Sequence, residues 1–343
     1  MKIELDQKLD FNNVLIRPKR TVLTSRNDVD LNREFKFPHS DLKWQGVPLI
    51  VSNMDTTGTF EVYDKLSKHK VITALHKFYD LQDYIKKKDE LDSNYFMVST
   101  GISEKDYEKL ENILRIIDVK WICIDVANGY MEKLVNFCKK VRNNNPNTII
   151  VAGNVVSREM TEELILNGKV DIVKVGIGPG SACLTRTQTG VGMPQLSAII
   201  ECADAAHGVG GYIIGDGGIT CPGDLAKAYG GGADFVMCGG VFAGHDENPG
   251  ELIEENGQKF KLFYGMSSEY AMNKRYGKMD KYRSSEGRCI KIKYKGGIET
   301  TLLNYLGGLR SCCTYINAKC IKYIPKCTTF VLVSQQINQS LVK

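Results

Sequence analysis

Eight short apolar runs, rich in β-branched residues, recur along the chain. They are VPLIVSNMD from Val47, VITALHK from Val71, YFMVSTG from Tyr95, WICIDVAN from Trp121, TIIVAGNV from Thr148, DIVKVGIG from Asp171, GYIIGDGG from Gly211 and FVMCGGVF from Phe235. Their starts lie 24, 24, 26, 27, 23, 40 and 24 residues apart. Near-continuous apolar runs, without polar alternation, predict strands of a parallel sheet buried on both faces. Helical patterns fill the intervals. TEELILNG opens on the cap-like Thr161 and stops at Gly168, and PQLSAIIECADAAHG runs from Pro194 to Gly208. Strand and helix alternating at this spacing, eight times, predict a (β/α)8 TIM barrel. An open doubly wound sheet is the alternative, and eight evenly spaced units favour closure.

Each run ends in small, polar or charged residues: NMD, HK, STG, DVANGY, GNV, GIGPGS, GDGG and GG. A barrel gathers all of these at its C-terminal face, where active sites form. The 40-residue interval holds a long loop after the sixth strand, 176–195. A second insertion after the eighth strand, about 245–300, is rich in Lys, Tyr, Gly and Ser and reads as a mobile flap. TTLLNYLGGLRSCC then reads as a helix and TTFVLVSQQ as a terminal strand. No linker or composition break divides the chain, so one barrel domain is expected over 1–343, with an N-terminal extension over 1–46.

Composition narrows the chemistry. The 343 residues are 43% hydrophobic and 25% charged, ordinary globular values. Forty-five basic residues against 40 acidic ones leave a formal charge of +5, which gives little support to nucleic-acid or membrane binding and suits a small anionic ligand. Eleven cysteines, with no CxxC pair, point to a reducing compartment. The N-terminal MKIELDQKLDF has no apolar signal-peptide core, and no apolar run nears the ~20 residues that span a bilayer. A cytoplasmic location is expected.

Two Gly pairs, in GDGG (215–218) and CGG (238–240), close the seventh and eighth runs. Without Cβ atoms, backbone N–H groups there can face an anion, and these two barrel loops frequently hold phosphate. Asp216 would accept from ribose hydroxyls, so the ligand reads as a nucleotide. GIGPGSACLTRTQTGVGMPQ (176–195) puts Cys183 amid five glycines and two prolines, where a thiolate can approach an electrophilic carbon. Thr185, two residues on, can relay a proton, and Glu286 in YRSSEG is a carboxylate to receive it. GIGPGS matches a dinucleotide fingerprint only superficially, because Ser181 stands in place of the third glycine.

These residues are also similar to a known family. The cysteine loop, with LDFNNVLIRPKR, NMDTTGTFE, DVANGY, GDGGITCPGDLAKAYGGGADFVMCGG, LFYGMSSEYAM, YRSSEG and GGLRSCCTY, closely resembles GMP reductases of the IMP dehydrogenase/GMP reductase family from about Leu9 to Gln336. The dehydrogenase branch shares the barrel and the cysteine. It usually carries an inserted CBS domain, for which no interval here has room, and lacks the TRxxTGVGxPQLSA run. The resemblance implies conversion of GMP and NADPH to IMP, NADP⁺ and ammonia. Cys183 would attack purine C2 and form a thioimidate, with Thr185 and Glu286 assisting proton transfer. Nucleotide contacts would come from Ser181, Asp216, Gly217, Gly218, Gly239, Gly240, Gly265, Met266, Ser267, Arg283, Ser284, Ser285 and Gly287. Cofactor contacts would come from Lys77, Asp125, Val126, Ala127, Ile177, Gly178, Tyr282 and Arg283. Ser25, Arg26, Ser311, Cys312, Cys313 and Thr314 would reach the cofactor from a neighbouring subunit of a homotetramer. Carbonyls of Gly178, Gly180, Cys183 and Arg186 would hold K⁺. A nucleotide-binding protein without turnover and a flavin-dependent barrel oxidoreductase are the other readings of the same phosphate signature.

Overall fold

In the computed structural model, which describes residues 3–277 and 284–334, all eight apolar runs form parallel strands of one closed barrel. The barrel strands are β1 (Leu49–Val51), β2 (Ile72–Leu75), β3 (Phe96–Thr100), β4 (Trp121–Asp125), β5 (Ile149–Val155), β6 (Ile172–Val175), β7 (Tyr212–Asp216) and β8 (Phe235–Cys238). Each pairs with its sequence neighbours, and β8 closes on β1 with Val236 opposite Leu49 and Cys238 opposite Val51. Closure excludes the open doubly wound sheet. The helices after successive strands are α1 (Phe60–Leu66), α2 (Leu81–Lys87), α3 (Glu104–Leu114), α4 (Glu132–Asn144), α5 (Arg158–Leu166), α6 (Gln195–Gly208), α7 (Pro222–Gly230) and α8 (Ile298–Ile316).

Alternating strand residues feed two cores. Ile50, Ile72, Ala74, Met97, Cys123, Val151, Ile172, Ile214 and Met237 fill the barrel interior. Their neighbours Leu49, Val51, Leu75, Val98, Ile122, Ile150, Val173, Ile213 and Val236 pack outwards under the helices. This two-sided burial is why the runs carry no polar alternation.

The N-terminal extension does more than precede the barrel. Arg33–Lys36 and Lys43–Gly46 pair as an antiparallel hairpin. Its Phe35, Phe37 and Trp44 join the interior core, with Phe35 stacked on Phe235 at 4.4 Å and Trp44 edge-on to Trp121 at 5.5 Å. These strands meet the N-terminal ends of β4 and β8, so the hairpin plugs the face opposite the expected site. Asp171, fully buried at the start of β6, holds the hairpin turn in place. Its Oδ1 accepts from the backbone N–H groups of His39 and Ser40, and its Oδ2 accepts from Ile150 N–H and, at 2.6 Å, from Arg142 Nη2.

Two expectations change. The α5 helix starts at Arg158, not at Thr161; the Thr161 hydroxyl donates back to the Ser157 carbonyl at 2.9 Å, one turn earlier, inside the helix. The segment after β8 is more ordered than its composition suggests. Ile253–Glu255, Gln258–Tyr264 and Cys289–Lys293 make a three-stranded antiparallel sheet, with the helix Glu269–Tyr276 between its last two strands. Phe263, Ile290 and Ile292 turn into a small core with Ala182 and Ala243, a period-2 apolar signal diluted by the surrounding Lys and Gly. The final strand, Phe330–Leu332, pairs antiparallel with Val14–Ile16; Gln335 and Gln336 of the expected run lie outside the described residues.

Removing one partner of a buried ion pair strands the other, a loss of about 3–5 kcal/mol. Asp171→Ala should therefore lower unfolding stability by about that amount in urea titrations. Arg158→Ala, whose pair with Asp204 lies in solvent, should leave the midpoint unchanged.

Candidate active site

The loop after β6 crosses the C-terminal mouth of the barrel and carries Cys183, half-buried. The five-residue helix Thr185–Thr189 begins two residues later. Cys183 Sγ lies 3.3 Å from Thr185 Oγ1, and that hydroxyl donates to Glu286 Oε2 at 2.8 Å. Thiol, hydroxyl and carboxylate thus form one hydrogen-bonded chain, although Glu286 is 101 residues from Thr185. A hydroxyl that donates to a carboxylate has a lone pair free for a proton from sulfur or from a leaving group. That is the arrangement of a nucleophile with a proton acceptor behind it.

Backbone pairing holds Glu286 there. The N–H of Leu184 donates to the Glu286 carbonyl at 2.6 Å, and the N–H of Arg288 donates to the Ala182 carbonyl at 2.9 Å. Gly287 bridges Cys183 on one side and Ser268 on the other. A Cβ on Gly287 would come within 2.7 Å of the Ser268 nitrogen, so only glycine fits between these two backbones. The Gly265 N–H donates to the Arg288 carbonyl, and the Ser285 hydroxyl donates to the Gly287 carbonyl. Ser284 Oγ meets Gln188 at 3.0 Å. Met266 and Ser267 lie in the turn leading to the helix Glu269–Tyr276. That helix is fastened to the loop after β1 by Arg275, whose Nε and Nη2 donate to buried Asp55 at 3.0 and 2.8 Å. Tyr282 and Arg283 lie outside the described residues.

The glycine loops after β7 and β8 sit beside the cysteine loop. Gly217 and Gly218 have φ of +89° and +84°, a region that side chains rarely adopt. A Cβ on Gly217 would reach within 3.1 Å of Pro179, and one on Gly240 within 3.0 Å of the Ser181 hydroxyl. The exposed Ser181 hydroxyl and the Gly239–Gly240 backbone therefore face the same small space. A helical turn, Gly240–Phe242, starts at this point. Glycine-rich turns of this kind suit an anion, with the Gly217 N–H itself donating to the Met237 carbonyl at 3.3 Å.

A polar layer that the sequence patterns did not reveal lies beneath. Lys174 on β6 is 4% exposed, with its Nζ 2.7 Å from Asp125 on β4 and 2.8 Å from Asp216 on β7. Burial disfavours its charge, yet the two carboxylates outweigh that and hold the ammonium above its ordinary value. Burial likewise opposes ionisation of Asp125, and Lys174 overrides it, holding the carboxyl below its usual range. Asn53 donates to Asp125 at 3.0 Å, and Asn154 to Asp216 at 2.8 Å. Gln195, fully buried at the start of α6, donates to the carbonyls of Val175 and Asp216. A lysine inside an apolar strand run, DIVKVGIG, was the available signal for this layer.

The other expected residues divide into two groups. Lys77, Asp125, Val126, Ala127, Ile177 and Gly178 end β2, β4 and β6 at the same mouth as Cys183. Lys77 is half-buried, Ala127 exposed and Ile177 buried. Ser25, Arg26 and Thr314 instead line an open groove of about 610 Å³ with Lys19, Thr21 and Tyr315. None of the mouth residues lines it. Ser311 and Cys312 are half-buried, whereas the Cys313 side chain is wholly in the core. The carbonyls of Gly180 and Arg186 accept from the N–H groups of Cys183 and Gly190, and each retains a second lone pair. Arg186 ties the loop down through Asp10 and, at 2.5 Å, the Met193 carbonyl.

Fold and site define a (β/α)8 barrel with a half-buried thiol, hydrogen-bonded through a hydroxyl to a carboxylate, at its mouth beside two glycine-rich turns. The chain belongs to the IMP dehydrogenase / GMP reductase domain family, whose model matches residues 8–340. It is similar to proteins named GMP reductase from Serratia proteamaculans (55% identical), Klebsiella pneumoniae (55%) and Yersinia enterocolitica (54%). Each match covers 99% of both chains.

All eleven cysteines are free. Burial pushes the Cys123 thiol up to about 12 and the Cys202 thiol up to about 11, so both stay protonated. Brief iodoacetamide treatment of the native protein should modify Cys183 and the exposed Cys221 and Cys289, and leave Cys123 and Cys202 intact in peptide mass spectra. Labelling of Cys123 as fast as Cys183 would contradict the placement.

Proposed function

We propose that this chain catalyses the NADPH-dependent reductive deamination of GMP: GMP + NADPH + 2H⁺ → IMP + NADP⁺ + NH₄⁺. The observation that carries this reading is the Cys183–Thr185–Glu286 chain. The near-full-length similarity to proteins named GMP reductase supplies the substrate class.

The residues account for the first half of the reaction. The 5′-phosphate sits in the cradle of Ser181, Gly217, Gly218, Gly239 and Gly240, and ribose hydroxyls reach Asp216. Gly265, Met266, Ser267, Arg283, Ser284, Ser285 and Gly287 border the nucleotide. This anchoring fixes purine C2 near Cys183 Sγ. The sulfur bonds to C2, and the 2-amino group departs as ammonia after gaining a proton. Thr185 and Glu286 carry protons between sulfur, ring and amine. The product of this half is a thioimidate on Cys183. NADPH, when bound, supplies the hydride that replaces the C–S bond at C2 with C–H and returns the thiolate. Lys77, Asp125, Val126, Ala127, Ile177, Gly178, Tyr282 and Arg283 hold the cofactor on the open side of the cysteine loop, so both ligands meet at one carbon.

Finer features follow from the same reading. Ser25, Arg26, Ser311, Cys312 and Thr314 serve the cofactor of a neighbouring subunit in a homotetramer; Cys313, expected beside them, is corrected, because its side chain is wholly in the core. The open groove lined by Ser25, Arg26 and Thr314 contains none of the chain's own mouth residues, which supports that arrangement. Carbonyls of Gly178, Gly180, Cys183 and Arg186 hold K⁺, stiffening the loop that presents the thiol. One barrel domain carries the whole activity, in the cytoplasm; among the described residues no helix is long and apolar enough to cross a membrane.

Absorbance of reduced nicotinamide should fall when GMP and NADPH are mixed with the protein. Reduction of NAD⁺ by IMP, without consumption of NADPH by GMP, would move the chain to the dehydrogenase branch. Cys183→Ala should abolish turnover and leave GMP binding by calorimetry intact. Glu286→Gln keeps the shape and loses the proton acceptor, so kcat should fall roughly 10²–10⁴-fold with KM for GMP little changed. Replacing K⁺ with tetramethylammonium should slow turnover; an unchanged rate removes the cation from the loop.

A further inference from the structure

Lys174 is the most deeply buried cation at the mouth, and the reaction proposed above does not use it. It lies one strand away from Asp216 on β7 and two from Asp125 on β4, and its single ammonium meets both carboxylates. The fold makes room for it. A Cβ at Gly153 would fall 2.7 Å from Lys174 Cβ, so a glycine on β5 lets the lysine lie against that strand. The oxygens are divided unequally. Asp125 spends Oδ1 on Lys174 and Oδ2 on Asn53. Asp216 takes both Lys174 and Asn154 on Oδ2. Its Oδ1 has no protein partner among the described residues and is the oxygen left for a ligand hydroxyl.

We propose that Lys174 is a positioning residue that ties the nucleotide-side carboxylate of Asp216 to the cofactor-side carboxylate of Asp125, so that one buried cation seats both substrates. The assignment of sides rests on the proposed function. Physically, two carboxylates around one nitrogen are held at fixed orientations by charge-assisted hydrogen bonds. Without the cation they face each other across the space it filled, where like charges favour sharing a proton. A proton on that pair would turn the Asp216 acceptor into a donor or pull it away from the ligand. The other titratable groups that bear on the cluster are Cys123 from β4, Lys77 after β2 and Cys238 from β8. Burial keeps both thiols protonated. Lys77 adds to the cation's effect on Asp125.

The test is steady-state kinetics across pH on wild type, Lys174→Met, Lys174→Arg and the double variant Lys174→Met/Asp125→Asn. Lys174→Met should raise KM for both GMP and NADPH by roughly 10–100-fold, the value of a lost hydrogen bond to a charged group. It should also move the acid limb of kcat/KM upward by roughly 1–3 pH units, because activity is lost as pH falls through the raised value of the carboxylate pair. Removing the second carboxylate should undo half of this. The double variant should recover the acid limb and the KM for GMP, while KM for NADPH stays raised. A purely structural lysine predicts no such rescue, and unchanged KM values or an unmoved acid limb in Lys174→Met overturn the proposal. Should Lys174→Met not fold, Lys174→Arg decides. A retained acid limb with both KM values raised supports the proposal, and a change in only one KM overturns it. Wild type that consumes no NADPH with GMP refutes the reaction itself, whereas an active wild type with an insensitive Lys174 variant refutes only this inference.

Discussion

Closure of β8 onto β1 is the constraint on which the site depends. An open sheet of the same strands would keep β1, β4 and β7 far apart and expose two unpaired edges. The closed ring brings the ends of all eight strands round one mouth, so Asn53, Asp125, Asn154, Lys174 and Asp216, from five different strand ends, become one polar cluster. The same closure needs the opposite face filled. The hairpin carrying Phe35, Phe37 and Trp44 does this, and Asp171 pins its turn through Oδ1 while Oδ2 is held by Ile150 N–H and Arg142. Stability is concentrated at one end of the barrel and chemistry at the other.

The second organising interaction is the backbone pairing of 286–288 with 182–184. It converts a glycine-rich loop, entropically costly to fix, into the middle of a small antiparallel layer. The thiol then has a defined neighbour in Thr185 and a defined acceptor in Glu286. Arg275 on Asp55 fastens the far end of the same insertion to the barrel. The insertion is thus partly ordered sheet and partly a strap across the nucleophile, and the order comes from apolar contacts of Phe263, Ile290 and Ile292 beneath it.

Much of the fold was legible because strand burial leaves a local mark. Runs such as TIIVAGNV are apolar throughout, since interior and helix-facing sides are both dry. The start of α5 was not legible at Thr161, because a threonine suits an N-cap and an interior bond to the preceding turn equally well by sequence. The plug hairpin escaped notice, since REFK and KWQG are short, carry few apolar residues and are indistinguishable from an exposed edge.

For the site, sequence alone determined the identities that chemistry demands. Cys183 among glycines, the glycine pairs at Gly217–Gly218 and Gly239–Gly240, and the small polar ends of the strands are local patterns tied to local geometry. Tertiary structure alone decided which distant groups meet. Glu286 reaches Thr185 only through strand pairing across 101 residues, and Lys174 finds Asp125 and Asp216 only because the barrel curves. Spacing along a chain encodes the period of a strand or helix. It carries no record of contacts between elements, which are fixed by closure, packing and the need to pair every buried charge.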